Sequence, residues 1–371
     1  MKPLTTETSL ASATDDMDIT RQKLIFITGA SRSGTTLLSF VLRNHDQVMG
    51  LKELQYFGEF WDPRRGSIPM PRNRAIQAAA TMLARQQDGV LAGKPDAGHM
   101  EQAATIVDGL GEDGSDPAAL FAETVAEISK RDGKSIPCEQ TPRNIYYARA
   151  LLDLYPNCRI VHMMRDPRAV MASQKQRWQR RSLTTDTTHF PRSRTFRAWV
   201  NYHPFTISQL WNRSARQAKA LRDHSRFHIV RFEDLLSAPE HTIQSMCEFI
   251  GLDFQEAMLD IGQVNSSHES SKGGAQSGFN PKAIDAWRNK LSAAEVQATE
   301  QRCGELMSDF YYAATPGSRS GIFRRLWMRV TYLFHLAGVV LLNPRRAWIQ
   351  FRGLLSGQRS STPPAEQRHV G

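Results

Sequence analysis

The sequence is poor in cysteine, in long apolar runs and, towards its C-terminus, in acidic residues. Its four cysteines, Cys138, Cys158, Cys247 and Cys303, stand 20, 89 and 56 positions apart with no C-x-x-C pair. That spacing excludes a disulfide framework, argues against a structural zinc, and fits a reducing, cytoplasmic compartment. A membrane-crossing helix needs about 20 apolar residues without charge. The longest mainly apolar, uncharged run is 330–342, thirteen residues, so a simple transmembrane helix is not expected. Residues 1–21 are polar, carry Asp15, Asp16 and Asp18, and show no basic stretch ahead of an apolar one. They are expected to be disordered and not to form a secretory signal.

What is present is a globular composition: 371 residues, 40% hydrophobic and 23% charged, enough to bury a core. The net charge is +10, but residues 319–371 hold nine Arg, no Lys and only Glu366 as an acid, which is +8 and leaves +2 for the rest. A nucleic-acid binder carries its basic stripe across the folded domain. Here the excess sits in a tail among aromatic and aliphatic residues, so no nucleic-acid partner is expected.

Residues 24–28 (L-I-F-I-T) form a continuous apolar run ending at Gly29, the pattern of a buried parallel strand. A small, polar loop follows, and 37–43 has helical spacing. The unit repeats at 159–164, where Asp166 and Pro167 are suited to cap and start a helix over 168–175. A third strand is predicted at 227–232, then Glu233 and Asp234 capping a helix over about 239–250 that stops at Gly251. Alternating strands and helices predict one α/β domain over 22–315, a P-loop-type central parallel sheet flanked by helices. Residues 86–131 read as a helical insertion, the last part a helix from Asp116-Pro117 to Arg131, and 316–371 as a basic, apolar tail.

The strongest chemical signal is Gly29-Ala30-Ser31-Arg32-Ser33-Gly34-Thr35-Thr36 between strand and helix. Glycines let the backbone wrap closely, and N–H groups at a helix start converge on an anion. In the triphosphate loop G-x-x-x-x-G-K-[ST] a lysine reaches the β- and γ-phosphates; here that position is Thr35, which disfavours a P-loop kinase. Arg32 supplies a planar cation suited to a tetrahedral oxyanion instead.

The loop S-R-S-G-T-T-L-L, the segment R-I-V-H-M-M-R-D-P-R-A-V-M-A-S, and I-V-R-F-E-D-L-L before a helix ending F-I-G-L together resemble the sulfotransferases that use 3'-phosphoadenosine 5'-phosphosulfate, particularly their bacterial and tyrosylprotein-type branch. The resemblance covers about 22–312. It implies that Arg32 with the amides of Ser33, Gly34, Thr35 and Thr36 holds the 5'-phosphosulfate, and that Arg165 and Ser173 bind the 3'-phosphate. It places a catalytic carboxylate at Glu53, a sensible general base for a hydroxyl. Lys272, Gly273 and Gly274 with Trp287 and Arg288 resemble a late loop and helix that close over the nucleotide. One departure stands out: Gln140 occupies the place of a common lysine before Thr141-Pro142. A glutamine donates a hydrogen bond but carries no charge for the leaving oxygen. Either Lys52 or Arg143 takes over, or the protein is a catalytically silent nucleotide binder.

No metal is expected. His224 and His228 share the only H-x-x-x-H spacing, and in an extended strand residues so spaced lie about 13 Å apart. His162, inside an apolar strand, reads as a core residue. The acceptor is expected to be a hydroxyl of a glycan, a lipid or another molecule. Arg and Trp flank the apolar run within 319–352, which predicts peripheral contact with the cytoplasmic face of an anionic membrane.

Overall fold

Leu24–Gly29 forms strand β1, and all six of its residues are buried, as a run with no polar face requires. The computed structural model describes residues 19–66, 68–89, 95–111, 116–176, 202–262, 278–316 and 321–342. Two units divide the chain, Met1–Val170 with Leu210–Ala286, and Met171–Gln209 with Trp287–Gly371.

The first unit is an α/β fold. After β1 come β2 (Val48–Gly50), β3 (Ile136–Glu139), β4 (Cys158–Met164) and β5 (Phe227–Arg231). They lie in the order β2-β3-β1-β4-β5, every neighbouring pair parallel, with Leu24 opposite Cys158 and Gly29 opposite Met163. Helices α1 (Thr35–Arg43), α2 (Arg72–Asp88), α3 (Ala97–Gly109), α4 (Pro117–Arg131), α5 (Ala148–Leu154) and α6 (Pro167–Lys175) follow in chain order. From β1 the chain moves out to β2 and returns through β3, then crosses to β4 on the other side. The carboxyl end of β1 is therefore a topological switch point, the place where parallel sheets open a crevice.

Side chains alternate across a strand, and β1 shows what that does. Ile25 and Ile27 pack with Leu38, Val41 and Leu42 of α1 and with Ile243 of the helix Pro239–Ile250. Phe26 points to the opposite face, where its ring centroid lies 5.9 Å from Phe121 of α4 and 6.0 Å from both Phe57 and Tyr155. The buried hydroxyls there are satisfied, Tyr56 donating to the Pro117 carbonyl at 2.9 Å and Tyr155 to that of Ala118 at 3.1 Å. So α4, the end of the stretch read as an insertion, covers the second face of the sheet.

Local signals set several boundaries. Asp116 accepts the Ala118 N–H at 2.9 Å with Pro117 opening α4. The helix Pro239–Ile250 ends on Gly251 at φ 74°, whose N–H and that of Leu252 both return to Cys247. The capping role expected of Glu233 and Asp234 is not what the side chains do. The strand stops at Arg231, Phe232 opens a short helix to Ser237, and Glu233 accepts the N–H of Asp166 at 3.0 Å while Asp234 pairs with Arg231. In the second unit the helix Ala293–Asp309 begins with a capping box between Ser292 and Glu295.

Candidate active site

The segment leaving β1 is held tight by its neighbours. A Cβ on Gly29 would lie 2.8 Å from the Met163 carbonyl oxygen of β4, and one on Gly34 would lie 2.5 Å from the Phe232 ring. Gly34 sits at φ 106°, and Arg32 takes φ 77° although it carries a side chain. A left-handed residue other than glycine costs about 1–2 kcal/mol, so the loop holds Arg32 in a conformation that packing must impose. The Ser33 N–H closes the turn onto the Ala30 carbonyl at 3.0 Å. Ser33 is 1% exposed, and its Oγ has no hydrogen-bond partner among the described residues. The first turn of α1 leaves backbone N–H groups without helical acceptors, the condition for holding an anion.

Around this turn lies a cavity lined by Ser31, Arg32, Gly34, Thr35 and Thr36, by Glu53 and Pro142 from the β2 and β3 side, and by Arg165, Phe232 and Asn280. One of its arginines holds the backbone of the other. Arg165 leaves the end of β4 and donates from Nη1 to the Arg32 carbonyl oxygen at 3.2 Å, with its guanidinium carbon 3.9 Å from the Phe232 ring centroid. The Arg165 carbonyl accepts Trp211 Nε1 at 2.9 Å. Asp166, the neighbour that is a plausible partner in sequence, is instead paired with Arg168 at 2.7 Å in a buried bridge and accepts the Arg168 N–H at 2.8 Å to start α6. Arg165 itself lines the cavity.

Glu53 is held by a clamp that sequence reasoning did not find. Glu139, 2% exposed at the end of β3, accepts the N–H of Leu54 at 3.1 Å, the N–H of Thr141 at 3.0 Å, the Asn144 amide at 2.6 Å and the Thr141 hydroxyl. The Thr141 hydroxyl oxygen in turn accepts the Gln55 N–H at 3.1 Å, and Gln55 Nε2 donates to Glu53 Oε2 at 3.2 Å. Burial pushes the Glu139 carboxyl up to about 7, against the pull of its hydrogen bonds from Thr141 and Leu54. The one sequence signal was a carboxylate at the end of an apolar strand, which burial obliges to find donors.

The remaining candidates are placed as follows. Ser33 does not line the cavity, whereas Arg32, Gly34, Thr35, Thr36, Glu53 and Arg165 do. Ser173 is on α6, in the part of the chain belonging to the second unit. Lys272, Gly273 and Gly274 lie outside the described residues. In the second unit the Arg288 guanidinium stacks on Trp287 at 4.6 Å. Gln140 is 7% exposed and its Oε1 has no partner among the described residues. Neither cation suggested in its place lines the cavity: Lys52 Nζ donates to the Gln87 carbonyl at 2.6 Å, and Arg143 is exposed. His162 bonds Thr28 Oγ1 through Nδ1 at 3.0 Å, and burial lowers its pKa to about 3, so it is neutral. His224 accepts the Arg226 N–H, while the His228 ring stacks on Phe249 at 5.0 Å.

A larger cleft, about 350 Å³ against about 100 Å³, is lined by Phe60, Trp61, Pro69, Pro71, Glu59 and Arg74 among others. Its lining includes Gly58, Gly66 and the helix starts at Pro71 and Pro117, but its one cation, Arg74, lies there with the acids Glu59 and Asp62, whereas the smaller cavity carries Arg32 and Arg165 with Glu53 and better suits an anion.

A family profile described as "Sulfotransferase family" matches residues 25–256. Carbohydrate sulfotransferase 5 of Mus musculus is 30% identical over 164 residues, covering 40% of this chain and 40% of the mouse protein. Sulfotransferase 2A1 of Macaca fascicularis is 21% identical over 194 residues, covering 47% and 62% respectively. The chain thus spans less than two thirds of the length of these relatives. The sulfotransferase domain from the Synechococcus PCC 7002 olefin synthase superposes with a TM-score of 0.49 at 20% identity, covering 79% of this chain and 96% of that domain.

Proposed function

Because the chain belongs to the sulfotransferase family, we propose that it moves a sulfuryl group from 3'-phosphoadenosine 5'-phosphosulfate to a hydroxyl, with a glycan as the favoured acceptor. The observation that carries this reading is one cavity that joins the turn after β1, the side chains of Arg32 and Arg165, the latter bonded to the Arg32 carbonyl, and a positioned carboxylate. The donor fits the residues present. Gly34 leaves the backbone bare where a Cβ would collide, and the Arg32 and Arg165 side chains share the cavity with it.

In the proposed step the acceptor oxygen attacks sulfur, forming a new O–S bond as the bond from sulfur to the bridging phosphate oxygen breaks. Glu53 takes the hydroxyl proton and later returns it to solvent; adenosine 3',5'-bisphosphate leaves. Arg32 and the first-turn amides of α1 hold the phosphosulfate oxygens, and Arg165 supplies charge for the nucleotide's phosphate. Positioning and electrostatic stabilisation are the main contributions, since sulfur in a mixed anhydride is already activated. A glycan is supported by the carbohydrate sulfotransferases among the relatives. The larger cleft presents aromatic and proline faces beside Glu59 and Arg74, a lining suited to a sugar ring.

Calorimetry with adenosine 3',5'-bisphosphate and with ATP and magnesium tests the donor. Binding of the bisphosphate alone is expected; binding of ATP alone overturns the reading in favour of a kinase. Turnover with labelled donor and glycan acceptors then tests the transfer. One observation favours a second reading, a silent nucleotide binder: Gln140 is neutral, and neither Lys52 nor Arg143 reaches the cavity. That reading predicts bisphosphate binding without transfer to any hydroxyl.

A further inference from the structure

The helix Ile322–Leu342 is amphipathic the wrong way round for a helix packed only on its own domain. At about 100° per residue, Phe323, Leu326, Trp327, Val330, Phe334 and Leu341 share one side, and that side faces out. Their exposures are 84%, 58%, 68%, 37%, 74% and 78%. The opposite side is the one that docks, and it is polar and aromatic. Thr331 bonds His203 at 3.4 Å, His335 bonds Thr206 at 2.9 Å, and the Tyr332 ring lies 5.3 Å from Phe205, all within the second unit. The helix is therefore anchored, and its apolar stripe is held outward by those contacts. A soluble surface rarely carries so many large apolar side chains in one stripe unless something covers them.

We propose that this face lies in the plane of an anionic lipid leaflet. Charge identifies the occupant. The helix holds Arg324, Arg325 and Arg329 and no acid, and the following sequence adds Arg345, Arg346 and Arg352 with Trp348. Apolar insertion flanked by Arg and Trp is what holds a helix at a headgroup boundary. Among the described residues no helix is long and apolar enough to cross a membrane, so the helix lies along the surface. A second copy of the chain would instead bring two acid-poor, arginine-rich segments together, a like-charge contact that costs free energy.

The test is co-sedimentation of the full chain with vesicles containing about one third phosphatidylglycerol, and with pure phosphatidylcholine vesicles. The wild type is expected to partition at least about ten-fold more strongly to the anionic vesicles, less so in high salt. The triple variant Phe323→Glu, Trp327→Glu, Phe334→Glu is expected to lose at least about ten-fold in partition. Because these side chains are exposed, its near-ultraviolet circular dichroism and thermal midpoint should match the wild type. If the variant unfolds, Arg329→Glu provides the same comparison through charge alone. Equal partition of wild type and variant overturns the proposal. So does equal binding to both vesicle types, or a wild-type dimer in light scattering that the variant abolishes while vesicles are ignored. Transfer activity plays no part in this readout, so it stands or falls apart from the sulfuryl-transfer reading.

Discussion

Glu139 accepts the Leu54 N–H at 3.1 Å and so fixes the backbone next to Glu53, although 85 positions separate the pair. The bond ties the chain after β2 to the end of β3, and the position of Glu53 depends on it.

Replacing Glu53 by Gln keeps the shape and removes the carboxylate proposed as the base. General-base assistance is worth about 10²–10⁴ in rate, so kcat with labelled donor should fall by that factor. Affinity for adenosine 3',5'-bisphosphate, read by calorimetry, should stay within about two-fold.

Titration of Glu139 gives a pH signature. Burial raises its folded pKa to about 7 from the ordinary carboxylate range, so between the two the folded state holds more protons than the unfolded state. Stability contributed by this group is therefore present at the acid end of the window and lost as pH rises through it. The thermal midpoint of wild type relative to Glu139→Gln should be highest near the lower limit and shrink towards neutrality. Scanning calorimetry across that range checks the sign.

At Gly34 two penalties coincide, a left-handed backbone at φ 106° and a Cβ 2.5 Å from Phe232. Gly34→Ala should cost about 1–3 kcal/mol in chemical denaturation and weaken bisphosphate binding, because Phe232 also supports Arg165 at 3.9 Å. Adding Phe232→Leu should recover part of the stability by relieving the clash, while the backbone strain persists.

Lys52, Arg143 and Gln140 itself are all absent from the cavity lining, and a lysine at position 140 would add a charge that neither of the other two supplies there. Gln140→Lys should raise kcat by about 10²-fold, the lower end of what one oxyanion-type donor contributes. A gain of less than two-fold would show that the leaving oxygen is already neutralised.

On the other face of the sheet, Phe121 is fully buried against Phe26, Phe57 and Tyr155. Phe121→Ala should destabilise the protein by about 3–5 kcal/mol, measured from the denaturant midpoint at unchanged slope.

Much of the fold was legible in short windows. The run ending at Gly29, the Asp116-Pro117 start of α4 and the Gly251 stop each involve residues within a turn or two, and each falls where the sequence placed it. The turn and Arg32 were legible for the same reason. Less visible were β2 and β3, which are only 3 and 4 residues long, and α3, whose apolar spacing is weak. Glu139, Phe232 and Glu233 were misread or passed over because their partners, Leu54, Gly34 and Asp166, lie far along the chain.

The parallel α/β class, the glycine-flanked turn after β1 and the basic, apolar character of the C-terminal segment could be read before any packing was known. These are properties of residue order, spacing and charge. Only the tertiary structure decided that Arg165 leans on Arg32 and Phe232 and not on Asp166, that Lys52 turns away, and which side of Ile322–Leu342 faces out. Those outcomes depend on which surfaces meet once the sheet has ordered its strands, and burial, hydrogen-bond satisfaction and steric fit are settled only at that meeting.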